Sequence, residues 1–144
     1  MGKVYLHKPG ARDEYLGRVE SDSGRVYQHR FGPDEYLGRV ELDTGRVYRR
    51  RAGLDKRLGQ VRLGDGRIYE RRFGLDQYVG QVRANGRVYG HRSLGADRYL
   101  GRIEGMNSLA EGGAAFFLLL RPVVEGADIE AQVAKSVDEA KKSA

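Results

Sequence analysis

The sequence contains no cysteine. That absence excludes disulfide, thiolate and zinc-thiolate chemistry together and leaves the redox compartment open. No basic-then-apolar leader opens the chain, since Met1-Gly2-Lys3-Val4-Tyr5 already belongs to the first recurring unit, so no secretory signal is expected. The longest apolar run, residues 114–120, is far below the ~20 residues a membrane-spanning helix needs. A soluble, cytoplasmic protein without a membrane span is therefore the expectation. No Gly-x-x-x-x-Gly-Lys-Ser/Thr phosphate loop occurs.

What the chain does contain is periodicity. Gly-Arg-Val-Tyr or a near variant stands at 2–5, 24–27, 45–48, 66–69 and 86–89. Tyr-Leu-Gly-Arg-Val or a near variant stands at 15–19, 36–40, 57–61, 78–82 and 99–103, a spacing of 21 residues. All nine tyrosines fall in these two motifs, so their pattern belongs to the unit and not to a single site. Self-similarity at a fixed period marks a repeat architecture. Each motif is β-branched and aromatic, as strands are.

Turn residues separate the strands. Ser21-Asp22-Ser23-Gly24, Leu42-Asp43-Thr44-Gly45 and Leu63-Gly64-Asp65-Gly66 suit three-residue hairpin loops closed by glycine, and Asn85-Gly86 suits a two-residue type I′ turn. These loops pair Val40 with Tyr48 and Val82 with Tyr89, so the change of turn type absorbs the one-residue deletion. Pleating then sets Tyr36, Gly38, Val40 and Tyr48 on one face and Leu37, Arg39, Glu41, Val47 and Arg49 on the other. Glycines 17, 38, 59, 80 and 101 are expected to seat a tyrosine ring flat on the backbone or to let the sheet coil. The opposite connections carry Gly-x-Asp, with aspartate bonding its own backbone.

The fold expected is all-β with a small α tail: a curled antiparallel meander of about ten strands from five hairpins, with the C-terminal segment covering or plugging the sheet. Residues 1–104 form the hairpin domain and 105–144 the non-repeating tail. In the tail, Ser108-Leu109-Ala110-Glu111 reads as a capping box. Residues 114–120 fit a buried helix or a buried strand equally. Asp128 is placed to cap a helix with Ile129, Val133 and Val137 on one stripe. Exposed edge strands at the first and last hairpins, with that tail, favour homo-oligomers.

The alternation of tyrosine, glycine and valine in tandem hairpins resembles MORN repeats and the tyrosine-aspartate repeats of bacterial toxin shells. The paired Gly-x-Gly of the former and the longer glycine-aromatic frame of the latter are absent, and no functional residue is carried over from either.

The candidate chemistry is sparse. His7, His29 and His91 share a slot that holds Arg50 and Arg71 in the other units, which makes it a cationic position and neither a catalytic base nor a metal ligand. Glu14, Glu35, Asp34 and Asp55 read as solvated turn residues, because paired catalytic acids need two unlike environments. No nucleophile–base pair can be assembled, so a non-enzyme with no cofactor and no metal is expected.

The basic excess, 22 Lys/Arg against 14 Asp/Glu in residues 1–104, is mostly arginine. Arg18, Arg39 and Arg102 share a strand slot filled elsewhere by Gln60 and Gln81, and Arg30, Arg51, Arg72 and Arg92 share another. Interleaved with tyrosine, these rows could track a polyanion backbone. Pairing with Glu20, Glu41 and Glu70 would instead neutralise them. The preferred expectation is a scaffold for a protein partner or for self-association, with nucleic acid or another polyanion as the alternative.

Overall fold

The computed structural model describes residues 1–142. Ten strands alternate along the chain: β1 (Gly2–Leu6), β2 (Glu14–Val19), β3 (Arg25–Gln28), β4 (Glu35–Val40), β5 (Arg46–Arg49), β6 (Lys56–Val61), β7 (Arg67–Arg72), β8 (Leu75–Val82), β9 (Arg87–Gly90) and β10 (Arg98–Glu104). Each pairs antiparallel with its sequence neighbours, and β1 pairs with β10, closing the meander into a barrel. Closure removes the free edge strands on which the sequence argument for homo-oligomers partly rested.

Each strand contributes one fully buried β-branched residue to a collar inside the barrel: Val4, Val19, Val26, Val40, Val47, Val61, Ile68, Val82, Val88 and Ile103. Within it Val40 faces Val47 and Val82 faces Val88, not Tyr48 and Tyr89. The reason lies in the turns. Glu41 N–H donates to the Arg46 carbonyl at 2.8 Å, so four residues, 42–45, form the loop. Arg83 N–H likewise reaches the Arg87 carbonyl at 2.9 Å, which leaves a three-residue loop at 84–86. Every loop is one residue longer than the sequence suggested, and a one-residue slip turns each side chain to the other face. The length difference between the two turn types is still absorbed, since both keep valine opposite valine.

A second departure sits in each Tyr-Leu-Gly-Arg-Val segment. Tyr27 pairs with Tyr36 and Val26 with Gly38, so Leu37 is skipped, and Leu16, Leu58, Val79 and Leu100 are skipped in the same way. Such a bulge lets two consecutive residues turn inward and tightens the local twist, as a narrow barrel requires. Leucine and glycine both face the lumen, and tyrosine and arginine both face out.

The chain then turns back through Gly105 (φ 75°) and enters the lumen as helix α1 (Leu109–Ala115), a five-residue π-helical turn (Phe116–Leu120) and helix α2 (Arg121–Lys142). The run at 114–120 is thus helix. Pro122, which lacks an N–H and clashes with the carbonyl four residues back, follows directly on the π turn, where the ladder is already widened. Asp128 caps nothing: it lies within α2 and bonds Arg98 at 2.8 Å.

Plug and wall are complementary in two layers. At the collar the wall is bulky, and the helix answers with Ala110, Gly112, Gly113 and Ala114; a Cβ on Gly112 would lie 2.2 Å from Val82 Cγ2, and one on Gly113 2.5 Å from Val61 Cγ1. One layer on, the strand glycines leave room, and the plug swells to Phe116, Phe117, Leu118 and Leu120. A Cβ on Gly80 would meet Phe116 at 2.8 Å, on Gly59 Phe117 at 2.5 Å, on Gly38 Leu118 at 3.2 Å and on Gly101 Leu120 at 2.8 Å. The strand glycines therefore seat plug side chains, and the nearest tyrosine atoms are carbonyl oxygens, not rings.

Successive plug residues address successive hairpins. Five equal sectors lie about 72° apart around a barrel, whereas an α-helix turns roughly 100° per residue. A π turn, closing i to i+5, advances less per residue and meets that spacing more nearly.

Glu111 locks the plug at the tight-turn end. Fully buried, its carboxylate accepts from the backbone N–H of Asn107 at 2.5 Å, the N–H of Ser108 at 2.9 Å and the Ser21 hydroxyl at 2.6 Å. It completes the capping box and ties the helix to the first hairpin turn.

Candidate interaction surfaces: the outer belt and the barrel mouth

Bulges and register together place arginine and tyrosine on the outer wall. The tyrosines meet in tilted pairs across the looser hairpins: Tyr5 with Tyr15, Tyr27 with Tyr36, Tyr69 with Tyr78 and Tyr89 with Tyr99, at 5.4–5.9 Å between centroids. In the third hairpin Arg57 takes the place of a tyrosine opposite Tyr48; its Nη2 reaches Gln60 Oε1 at 3.3 Å, and its buried Nε has no partner.

Over each pair lies a cation. Arg18, Arg39 and Arg102 stack on Tyr27, Tyr48 and Tyr5, each at 4.3 Å. The histidine slot closes the belt, with His7 against Tyr99, His29 against Tyr15, His91 against Tyr78 and Arg50 over Tyr36.

Aspartates from the looser connections neutralise this belt. Asp34 pairs with Arg18 and lies 3.5 Å from His29 Nδ1; Asp13 pairs with Arg102 at 3.1 Å and lies 3.6 Å from His7; Asp55 is 3.5 Å from Arg39; Asp97 is 3.2 Å from His91. Asp34 and Asp55, expected to be solvated turn residues, are ion-pair partners of the strand arginines. The acids foreseen as partners, Glu20 and Glu41, bond Ser23 and Thr44 in their own turns. Burial, reinforced by the charge of Asp34, Asp97 or Asp13 respectively, raises the pKa of Tyr15, Tyr78 and Tyr99.

The second arginine row is elsewhere. Arg30, Arg51, Arg72 and Arg92 stand in or beside the looser connections at the mouth where α2 leaves the barrel, so the structure gives two rings and not one face. Arg30 pairs with Glu35 at 2.8 Å and Arg72 with Glu70 at 2.8 Å. Among the described residues Arg51 and Arg92 have no carboxylate partner, and neither do Arg12, Arg49, Lys56 and Arg71 nearby.

Between these cations stand the most exposed large apolar side chains of the barrel: Phe31, Leu54, Phe73, Leu75 and Leu94. Sequence reading passed over them as loop filler, although an apolar residue beside Gly-x-Asp in four successive units was the signal. Phe73 sits in a two-residue turn with φ 50°, beside Gly74 at φ 77°.

At the mouth Arg121 bonds Glu70 at 3.0 Å and Glu125 at 2.9 Å. Burial alone would raise the Glu70 pKa, but the hydrogen bond and charge of Arg121, with Arg72 behind it, outweigh burial and lower it. Clefts of about 340 and 500 Å³ flank the exit of α2, the larger floored by Phe117, Leu118 and Val123 and rimmed by Arg49 and Arg72. Among the described residues no group of three or more metal-ligating side chains comes together, and no helix is long and apolar enough to cross a membrane. Comparison with protein-family models, with curated proteins and with solved structures finds no match.

Proposed function

We propose that this chain is a non-enzymatic β-hairpin repeat scaffold whose mouth binds protein, either a partner or further copies of itself. The observation that carries this reading is the concentration of exposed apolar tips, Phe31, Leu54, Phe73, Leu75 and Leu94, on one end of the barrel. Large apolar side chains gathered on one surface mark interaction sites. The lumen, where a small barrel would hold a ligand, is filled by residues 109–120, which directs binding to the outside.

The test compares wild type with Phe31→Ser/Phe73→Ser, whose side chains touch no core. Partners retained on immobilised wild type but lost on the variant, or self-association lost with it, support the scaffold. Equal retention and equal mass for both proteins would sink it.

The run Arg49-Arg50-Arg51 with Lys56, which has no carboxylate partner among the described residues, favours a second reading as a polyanion-binding module. Arg18, Arg39 and Arg102 contribute less to it, being held by Asp34, Asp55 and Asp13. Anisotropy titrations of DNA, RNA and heparin from low to physiological salt decide this. Binding that weakens linearly with log salt and is lost in Arg49→Glu/Arg51→Glu supports it, and no binding at low salt removes it.

A further inference from the structure

Helix α2 is a helix without a partner. Beyond Asp128 every described residue of it is exposed, and Ile129, Val133 and Val137, one turn apart on a single stripe, are 63%, 58% and 47% exposed. At 1.5 Å per residue the free part from Ile129 to Lys142 extends roughly 20 Å beyond the barrel. Three aliphatic side chains are too few to hold two helices against each other in water. The stripe needs a further apolar surface, and that surface needs the right charge.

Both requirements are met by the mouth of another copy. Residues 122–139 carry five acids and one lysine, so the free helix is acidic. The five connections at the mouth (7–14, 29–35, 49–56, 70–77 and 91–98) carry 11 Lys/Arg and 8 Asp/Glu. Most of those acids are already committed: Asp13, Asp34, Asp55 and Asp97 to the belt, Glu14 to Lys8, Glu35 to Arg30 and Glu70 to Arg72 and Arg121. Cations are what the mouth has left over, standing beside Phe31, Leu54, Phe73 and Leu94. It is a basic surface with apolar points, and the chain carries an acidic helix with an apolar stripe.

We infer that the mouth of one copy receives α2 of a second copy, and its own α2 enters the mouth of that second copy, in a two-fold pair with the helices antiparallel. This rests on the scaffold reading and names its partner. The contact is isologous, so it closes at two copies and leaves no surface to propagate a fibre. An anionic bilayer would also match basic loops with apolar tips, but α2 rises from the middle of the mouth and is itself acidic, which opposes a flat anionic surface.

Sedimentation velocity and light scattering on the full chain, over a wide concentration range, read the mass directly. Wild type is expected at twice the chain mass, with at least tenfold weaker association in Ile129→Asp/Val133→Asp and in Phe31→Ser/Phe73→Ser. Neither variant touches the barrel core, so circular dichroism should match wild type. Mixing the two variants keeps one intact helix–mouth contact per pair and should recover a heterodimer that neither forms alone. A wild type that stays monomeric at the highest attainable concentration overturns the inference while leaving a foreign partner open under the scaffold reading. Dimers that survive both variants overturn it and place self-association elsewhere. Co-sedimentation with phosphatidylserine vesicles, lost in the Phe31/Phe73 variant, overturns it in favour of lipid.

Discussion

Phe117 packs its ring edge on Gly59, so closely that a Cβ there would lie 2.5 Å from Cζ and 2.2 Å from the Tyr69 carbonyl oxygen. Two separate features of the fold meet at that glycine. The bulge at Leu58 presses the neighbouring backbone against it, and the plug fills the space its missing side chain leaves. Gly59→Ala therefore has no direction in which to relax. A loss of about 3 kcal/mol is expected, at the upper end of the overpacking range. Phe117→Ala, which empties the same contact, should cost about 3–5 kcal/mol. Combining Gly59→Ala with Phe117→Leu should restore only part of the loss, because the Tyr69 carbonyl stays in place. Urea titrations of the three proteins check this, and full rescue would show that the plug alone imposes the glycine.

Glu111 is the next point of weakness. Its carboxylate satisfies two backbone N–H groups and the Ser21 hydroxyl at a site with no solvent. Glu111→Ala would leave all three without an acceptor, and an orphaned buried donor costs about 1–3 kcal/mol. A loss of about 3 kcal/mol or more is expected for Glu111→Ala and about 2 kcal/mol for Ser21→Ala, whose charged partner is kept. Because the two share one hydrogen bond, their double mutant should lose less than the sum. Additivity in thermal melts would mean that the helix is held at this end by something else.

The capping box, the meander, the strand glycines and the covering tail were legible because each rests on a local rule of spacing or residue type. Faces and register were not. Five bulges, at Leu16, Leu37, Leu58, Val79 and Leu100, break the period of two on which face assignment depends. The sequence of a bulge, Tyr-Leu-Gly-Arg, is also a passable regular strand. The four-residue loops looked like three-residue loops because Leu42-Asp43-Thr44-Gly45 contains the shorter motif. Arginines 18, 39 and 102 were found, but their partners Asp34, Asp55 and Asp13 stand 16, 16 and 89 residues away in sequence, beyond any local pattern. Closure of β1 on β10 was equally non-local.

Arg57 shows the same regularity by exception. Four hairpins place two tyrosines in contact, and the third offers Tyr48 a guanidinium whose Nε is buried without an acceptor. Arg57→Tyr should recreate the ring pair and remove the orphaned donor. Aromatic pairs contribute about 0.5–1.5 kcal/mol beyond their area, so a gain of about 1 kcal/mol or somewhat more is expected, seen as a raised Tm. An unchanged or lowered Tm would show that the stacked arginine already contributes as much as the tyrosine it replaces.

Acid should loosen the barrel mouth before the tight-turn end. Glu70 accepts from Arg121, whose guanidinium is itself pushed up by the same contacts, and Arg72 adds a second cation. Its folded pKa lies below the ordinary glutamate value, so its contribution is fully present above the unfolded pKa, near 4.3. The contribution is lost as pH falls through the lower, folded value, because only then does the folded state take up the proton. Glu70→Gln removes this titration and keeps an acceptor for Arg121. Between neutral pH and pH ~3 the wild-type Tm should therefore fall further than that of Glu70→Gln, with the two curves converging at the acid end. Hydrogen exchange at Arg121 and Val123, where the plug leaves the barrel, should rise over the same interval in wild type. Parallel Tm curves throughout would mean that the Arg121 contact is worth the same with or without its charge, and that the exit of α2 is held by packing alone.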